Sequence, residues 1–278
     1  MTVEEILKLA LAEDLGDGDH TSLATIPDDA TGQAELIAKE NGILAGSIVA
    51  AEVFRQVDPD LKITFLKKDG NILQRGDRIF LLEGRARSIL SAERTALNFM
   101  QRMSGIASAT YQIAHKLEGL HTKLLDTRKT TPCNRVIEKM AVKIGGGHNH
   151  RFGLFDMIMI KDNHIDFAGG ITNAIRATHQ YLEKNNKDLK IEIEVRNFQE
   201  LREVMETGGI DRIMLDNFTP DNLLMAIQII NRKFETEASG NITIENIREY
   251  AESGVDYISV GALTHQIKSL NMSLKAIK

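Results

Sequence analysis

The sequence predicts an α/β fold in which a parallel sheet of repeated strand–helix units follows a smaller, strand-rich region. Short apolar strand patterns recur through the second half of the chain, and an amphipathic helical pattern fills each gap between them. Repeated units of this kind form a parallel sheet, either a barrel or a doubly wound sheet. The six units favour a short barrel over the usual eight-stranded one.

The first region, residues 1–108, places its strands close together in sequence. A helix is predicted at 3–13, and an acidic, turn-rich loop follows it at 13–21. Further strands are predicted at 33–40, 42–47, 62–68 and 78–87, with a helix at 49–57. Ser91 is the predicted N-cap of a long helix that runs to about residue 118 and joins the two regions.

The second region, residues 109–265, holds the six repeats. Its strands are predicted at 123–127, 157–161, 191–195, 212–216, 235–238 and 257–260. Helical patterns occupy 134–144, 172–184, 198–207, 220–231 and 243–253. A last helix, 266–278, is expected to join the N-terminal domain.

Charge and cysteine content limit the classes of function. With 34 basic and 39 acidic residues the formal net charge is -5, which disfavours general binding of nucleic acid or membrane surfaces. Charges interrupt every apolar stretch well short of the length of a transmembrane helix. The single cysteine, Cys133, excludes an internal disulfide framework and suits a reducing compartment. We therefore expect a cytoplasmic protein.

Polar or charged residues follow each of the six predicted strands, such as TRKTT after the first and DNH after the second. In a parallel barrel these strand ends share one face, which carries the active site. Glu192 and Glu194 lie within the third strand and face the same side, because alternate residues of a strand point alike. An inward pair of carboxylates is costly unless it binds something, which favours a functional role for Glu194.

The run Gly145–Gly147 precedes His148, Asn149, His150 and Arg151. Three glycines free the backbone to approach an anion closely. The spacing of His148 and His150 also allows a metal site, but a neighbouring arginine would repel a cation. An anion site is therefore the preferred interpretation.

Four cations follow these strands or the glycine run, namely Arg128, Lys129, Arg151 and Lys161. Such a group repels itself unless the ligand carries several negative charges, as a dicarboxylate with a phosphorylated partner would. Glu194 and Asp216 supply the opposite sign and suit Mg²⁺ or sugar hydroxyls. Glycines at Ser239-Gly240 and Gly261 could hold a phosphate through backbone N–H groups.

Several motifs resemble the quinolinate phosphoribosyltransferase family, also called carboxylating nicotinate-nucleotide pyrophosphorylases. The matching stretches cover almost the whole chain, and the combination of TRKT, NHR and KDNH is highly specific. They are EDLGDGDHT (13–21), ERTALNFMQRMSGI (93–106), DTRKTTPCNR (126–135), EKMAVKIGGGHNHRFGLFDMIMIKDNHI (138–165), EIEV (192–195), LDNF (215–218) and GVDYISVGALTH (254–265).

The resemblance implies an N-terminal α/β sandwich domain and an open, irregular α/β barrel of six to seven parallel strands. It also implies a homodimer, in which the sandwich domain of one subunit closes the barrel mouth of the other. Arg94 would then reach the partner's site. From the residues alone, Arg94 would be an ordinary helix-surface residue.

The implied reaction converts quinolinate and phosphoribosyl pyrophosphate to nicotinate mononucleotide, pyrophosphate and CO₂, with Mg²⁺, in the de novo synthesis of NAD. The resemblance implies catalytic roles for Lys129, Glu194 and Asp216, the two carboxylates facing Mg²⁺ directly or indirectly. The implied substrate-binding residues are Arg94, Thr127, Arg128, His150, Arg151, Lys161, Ser239, Gly240, Gly261 and Ala262.

Three positions, in two segments, depart from the family pattern. Cys133 and Asn134 stand where the family usually has glycine and an apolar residue, and Asn241 stands where a second glycine is common. Three alternatives stay open at this point: a paralogue of the molybdate-transport type, a Schiff-base aldolase using Lys129 or Lys161, and a non-catalytic sensor of phosphorylated metabolites.

Overall fold

The computed structural model describes residues 1–277, which divide into two compact units. The first unit comprises Met1–Tyr111, Lys129–Gly146 and the segment that begins at Ala262. The second comprises Gln112–Arg128 and Gly147–Gly261.

Helices and strands alternate along most of the chain. The helices are α1 (Val3–Leu15), α2 (His20–Thr25), α3 (Ser47–Val57), α4 (Ala86–His115), α5 (Arg135–Ile144), α6 (Asp162–Ala168), α7 (Ile171–Lys184), α8 (Phe198–Thr207), α9 (Pro220–Ile230), α10 (Ile247–Glu252) and α11 (Ala262–His265). The strands are β1 (Thr31–Ala38), β2 (Gly42–Ile43), β3 (Lys62–Phe65), β4 (Ile72–Leu73), β5 (Arg78–Arg85), β6 (Lys123–Leu125), β7 (Ile158–Ile160), β8 (Ile191–Val195), β9 (Arg212–Asp216), β10 (Glu235–Ser239), β11 (Tyr257–Ser259) and β12 (Met272–Ile277). None of the described helices is both long and apolar enough to span a lipid bilayer.

The first unit is built on an antiparallel sheet with strand order β12-β1-β5-β3. Leu36 of β1 and Phe80 of β5 are buried, and Phe54 of α3 meets Phe80 edge-to-face with ring centroids 6.1 Å apart. Leu97 and Met100 of α4 line the same apolar space. The unit therefore has a helix-on-sheet core, since each element buries only one face.

Two predictions for the first unit are wrong. The segment 266–278 was expected to be helical, but residues 272–277 form β12, which pairs with β1 from Ala38↔Met272 to Gln33↔Ile277. An open edge of β1 supplies hydrogen bonds that a short terminal helix would lack. Position 278 lies outside the described residues. Ser91 does not cap a helix either, because α4 already begins at Ala86, and the Ser91 hydroxyl donates to Asp19 at 3.1 Å.

The second unit is a six-stranded parallel sheet with strand order β6-β11-β10-β9-β8-β7. From β7 to β11 consecutive strands are neighbours, and the first strand of the unit, β6, lies beside the last, β11. This is the cyclic order of a barrel that is open between β6 and β7, so the predicted α/β fold is confirmed. All five residues of β8 are buried, as expected for a strand covered on both faces.

Two glycines of the run after α5 have structural roles. A Cβ at Gly145 would overlap the carbonyl oxygen of Ala107 in α4, so this glycine permits close helix packing. Gly146 adopts φ 91°, which reverses the chain after the helix. Downstream, the His148 backbone N–H donates to Leu124 O at 2.8 Å and forms a parallel bridge with β6.

Candidate active site

The buried carboxylate of Asp126 fixes the segment that carries His150 and Arg151. One carboxylate oxygen accepts the Asn149 side-chain amide at 2.6 Å, and the other accepts the His150 backbone N–H at 2.8 Å. Asp126 follows β6 directly and is fully buried. This local geometry holds the NHR motif beside the end of β6, from which Arg128 also emerges.

Arg128 lies close enough to Arg151 to affect the charge of the Arg151 guanidinium. Burial and the neighbouring Arg128 guanidinium both lower the pKa of Arg151. The Arg151 guanidinium also donates to Met157 O at 3.2 Å. Two adjacent guanidiniums repel each other, and a bound dianion would remove that repulsion. Two of the four predicted cations, Arg128 and Arg151, thus lie near each other.

A second cluster lies at the ends of β7, β8 and β9. Lys161 Nζ donates to Glu194 Oε2 at 2.5 Å, and Glu194 is largely buried. Burial and the Glu194 carboxylate raise the pKa of Asp216, which Lys161 partly offsets. A carboxylate whose pKa is raised by a neighbouring carboxylate forms a site suited to added positive charge.

Beneath these residues, four charged or ionisable side chains form a buried network. His150 Nε2 lies 3.0 Å from Glu192 and 3.2 Å from Glu237, and Arg212 lies 3.1 Å from Glu237. Arg151 donates its backbone N–H to His150 Nδ1 at 2.6 Å. Both ring nitrogens are therefore engaged, and this arrangement fixes the orientation of the imidazole.

The same network contains a group of three potential metal ligands, His150, Glu192 and Glu237, whose ligand atoms lie within 4.8 Å of one another. Arg212 already balances the Glu237 carboxylate, and its guanidinium stacks 4.0 Å from the Tyr257 ring centroid. Burial and the Glu237 carboxylate raise the pKa of Glu192 to about 7. We interpret the group as a buried ionic network, because protein cations and shared protons compensate its charge.

The turn at the end of β10 carries Ser239 and Gly240. Gly240 adopts φ 93°, and a Cβ at this position would overlap the side-chain oxygen of Asn217. Ser239 O accepts the Asn217 backbone N–H at 2.8 Å. Both predicted cradle residues therefore lie beside the strand end that bears Asp216. Gly261, another predicted cradle residue, follows β11 in the same unit.

In the first unit, a buried ion pair fixes the loop that contains Lys129. Arg102 of α4 lies 2.6 Å from Glu138 of α5, and Arg102 also donates to Thr131 Oγ1 at 2.8 Å. The Thr264 hydroxyl donates to Lys129 O at 2.7 Å. These contacts fix the loop backbone and leave Lys129 exposed. Arg94 is exposed on α4, and Ala262 begins α11.

Two family models cover most of the chain. The N-terminal domain model of quinolinate phosphoribosyl transferase matches residues 19–104, and its C-terminal domain model matches residues 106–275. The chain belongs to the quinolinate phosphoribosyltransferase family.

Individual members of the quinolinate phosphoribosyltransferase family support the same assignment. The chloroplastic nicotinate-nucleotide pyrophosphorylase [carboxylating] of Arabidopsis thaliana is 47% identical over 288 residues, which cover 98% of this chain and 82% of that protein. The probable enzyme of that name from Bacillus subtilis is 41% identical over 274 residues, 99% of this chain and 93% of that protein. The family resemblance drawn from the motifs is confirmed.

Solved structures of the quinolinate phosphoribosyltransferase family share the fold. NadC from Streptococcus pyogenes matches with a TM-score of 0.93 and 39% identity, covering 99% of this chain and 97% of that one. The nicotinate-nucleotide pyrophosphorylase from Francisella tularensis matches with a TM-score of 0.92 and 41% identity, covering 99% and 96%.

Sequence reasoning missed the residues that support this quinolinate phosphoribosyltransferase site. Arg212 and Glu237 were assigned to strands without a role, although Glu235 and Glu237 repeat the alternation of Glu192 and Glu194. That repeat was the available signal. The pairing of Arg102 with Glu138 gave no such signal, because the two residues are 36 positions apart on different helices.

We predict that Arg212→Met destabilises the protein by about 3–5 kcal/mol, because it leaves the buried Glu237 carboxylate without its guanidinium. Urea unfolding followed by circular dichroism measures the change. Arg248→Met is the matched control, since Arg248 is an exposed partner of Glu252 and its loss should cost about 1 kcal/mol or less. Equal losses in the two variants would contradict a compensating role for Arg212.

Proposed function

We propose that the chain catalyses transfer of the phosphoribosyl group of phosphoribosyl pyrophosphate to the ring nitrogen of quinolinate, with release of pyrophosphate and CO₂. The observation that carries this proposal is the opposed pair of clusters in the second unit. Arg128 and Arg151 present adjacent positive charge, whereas Glu194 and Asp216 present adjacent negative charge. A dicarboxylate acceptor needs the positive cluster, and a cation-like sugar centre needs the negative one.

Quinolinate carries two neighbouring carboxylates, which suit the two guanidiniums. Arg128 and Arg151 are assigned to these carboxylates, with Lys161 as a third positive charge. His150 is assigned to this part of the site through Arg151, because its ring nitrogens already face Glu192, Glu237 and the Arg151 backbone N–H. The arginines offer bidentate donors that fix the plane of the ring. Thr127, which precedes Arg128, is assigned to the same substrate. The buried ionic network that includes His150 restricts movement of these groups.

Attack by the pyridine nitrogen on the ribose builds positive charge at the sugar, which Glu194 and Asp216 are placed to stabilise. The raised pKa of Asp216 beside Glu194 fits binding of a divalent cation, so these two carboxylates would hold Mg²⁺. The ion would neutralise charge on the departing pyrophosphate. Lys129 is assigned to the pyrophosphate side, and Ser239, Gly240, Gly261 and Ala262 are assigned to the 5′-phosphate.

Loss of CO₂ follows phosphoribosyl transfer. Breaking the carbon–carboxylate bond leaves an electron pair on the ring carbon next to the nitrogen, and the newly cationic nitrogen stabilises it. A proton then replaces CO₂ on that carbon. The assigned chemistry needs no protein nucleophile, and the ionic contacts of Lys161 agree with that. Its Nζ donates to Glu194 Oε2, so the amine that a Schiff-base aldolase would use as a nucleophile is already engaged.

We also propose a cytoplasmic homodimer in which Arg94 completes the partner's site. Arg94 is exposed on α4, where a second subunit could reach it. The exposed thiol of Cys133 suits a reducing compartment.

The direct test is release of CO₂ and pyrophosphate with quinolinate, compared with nicotinate, as the acceptor. We expect both products only with quinolinate. Arg128→Ala or Lys161→Ala should raise the quinolinate KM at least tenfold, because each removes a charge-assisted contact worth about 1.5–3 kcal/mol. Circular dichroism should show an unchanged fold. Normal kinetics in both variants would remove the pocket assignment.

Glu194→Gln should lower kcat at least tenfold, because the neutral amide stabilises a cation-like sugar centre less than a carboxylate does. The amide keeps the size of the side chain, and steady-state kinetics with both substrates measure the effect. Glu200→Gln is a suitable control, since Glu200 lies on α8, the helix after β8, and pairs there with Arg196. Unchanged turnover of Glu194→Gln would show that this carboxylate does not face the reacting sugar.

A mixed dimer tests the shared site. Arg94→Ala and Lys161→Ala subunits should each be nearly inactive alone, and their mixture should recover part of the activity through hybrids with one intact site. Differently tagged subunits allow purification of the hybrid before the assay. A purified hybrid as inactive as its parents would argue against Arg94 acting across the interface.

A further inference from the structure

Asn241 links the turn after β10 to the Asp216 carboxylate. Its side-chain N–H donates to Asn217 Oδ1 at 3.0 Å, and the Asn217 side-chain N–H donates to Asp216 Oδ2 at 2.6 Å. The Asn217 backbone N–H is itself held by Ser239 O. A continuous hydrogen-bonded path therefore runs from the turn to the carboxylate.

The backbone around this path is shaped to present the two amides to each other. Asn217 and Asn241 adopt φ 57° and 52°, a left-handed conformation that asparagine tolerates better than most residues. Gly240 lies between Ser239 and Asn241, and any Cβ there would collide with Asn217 Oδ1. The Asn246 side-chain amide holds Asn241 O at 3.2 Å and fixes the far side of the turn.

Asp216 lies at the end of β9, paired with Ser239 of β10, and accepts the Asn217 amide there. The Asn217 side-chain amide can donate a hydrogen bond to Asp216 only when its NH₂ group, and not its oxygen, faces the carboxylate. Asn241 selects that orientation by occupying the oxygen end of Asn217 with a donor.

We propose that Asn241 is a positioning residue that sets the orientation of Asn217 and thereby holds Asp216 toward the phosphoribosyl substrate. The proposal rests on the proposed function, since it assigns Asp216 to the sugar. It predicts that changes at Asn241 affect the use of phosphoribosyl pyrophosphate and leave quinolinate binding unchanged, because the quinolinate cations lie on other elements.

Asn241→Gly separates positioning from folding. Glycine accepts the left-handed backbone without strain and removes only the amide. We expect kcat/KM for phosphoribosyl pyrophosphate to fall about fivefold, as loss of one neutral hydrogen bond would cause. We also expect the quinolinate KM and the Tm to stay within error. Calorimetric titration with ribose 5-phosphate, which needs no turnover, should show a weaker Kd.

Asn241→Asp keeps the size of the side chain and places an acceptor opposite Asn217 Oδ1. It favours a flipped Asn217, whose oxygen would then face Asp216, so we expect a larger loss than in Asn241→Gly. Asn217→Gly removes the intermediate amide. The double variant Asn217→Gly/Asn241→Gly should then be no worse than Asn217→Gly alone, because the effect of Asn241 passes through Asn217.

Asn231→Gly is the matched control. Asn231 adopts φ 47° at the C-cap of α9, so glycine relieves the same backbone strain outside this hydrogen-bonded path. The proposal is overturned if an active wild-type enzyme and Asn241→Gly have equal kcat/KM for phosphoribosyl pyrophosphate, or if Asn231→Gly loses as much. Failure of the wild-type enzyme to release CO₂ from quinolinate would instead reject the proposed function.

Discussion

The proposed site depends on holding two like charges, Arg128 and Arg151, near each other in the second unit. Partial burial and the neighbouring Arg128 guanidinium both lower the pKa of Arg151, so the charged form of Arg151 carries a free-energy cost. The buried Asp126 carboxylate offsets this cost by hydrogen bonds that hold the NHR segment in place. Binding of a multiply anionic ligand removes this repulsion between like charges. The charge of the pocket therefore favours such ligands, independently of their shape.

The charged side chains of the parallel sheet lie at two depths. Glu192 and Glu194 point to the same side of β8 because strand residues alternate, but they occupy different levels. The deeper carboxylate is engaged by His150, in a network that Arg212 and Glu237 complete. The outer one meets Lys161, which is partly exposed. Structural compensation therefore sits at the lower level, and charges available to substrates sit at the upper level.

The parts of the fold that depend on periodicity were predictable from sequence. The strand at 191–195 and the polar residue ending each repeat follow from alternation and from the requirement that parallel strands share one face. Long-range pairings were not predictable in the same way. Strand β12 exists because β1 offers an open edge, and Arg102 meets Glu138 because two helices pack, and neither fact leaves a local pattern. The packing of Gly145 against α4 was likewise not predictable, because it too joins residues far apart in sequence.

The two departures from the family's glycine pattern show what the backbone requires at these turns. Cys133 and Asn241 both adopt positive φ, 61° and 52°, so the chain keeps a left-handed turn even without glycine. For an ordinary residue that conformation costs about 1–2 kcal/mol, whereas asparagine adopts it more readily. At position 241 the side chain returns a hydrogen bond to Asn217, but the structure gives Cys133 no comparable contact that explains its presence. The same backbone demand therefore has a functional explanation at one turn and none at the other, which is why Asn241 rather than Cys133 is assigned a role in the site.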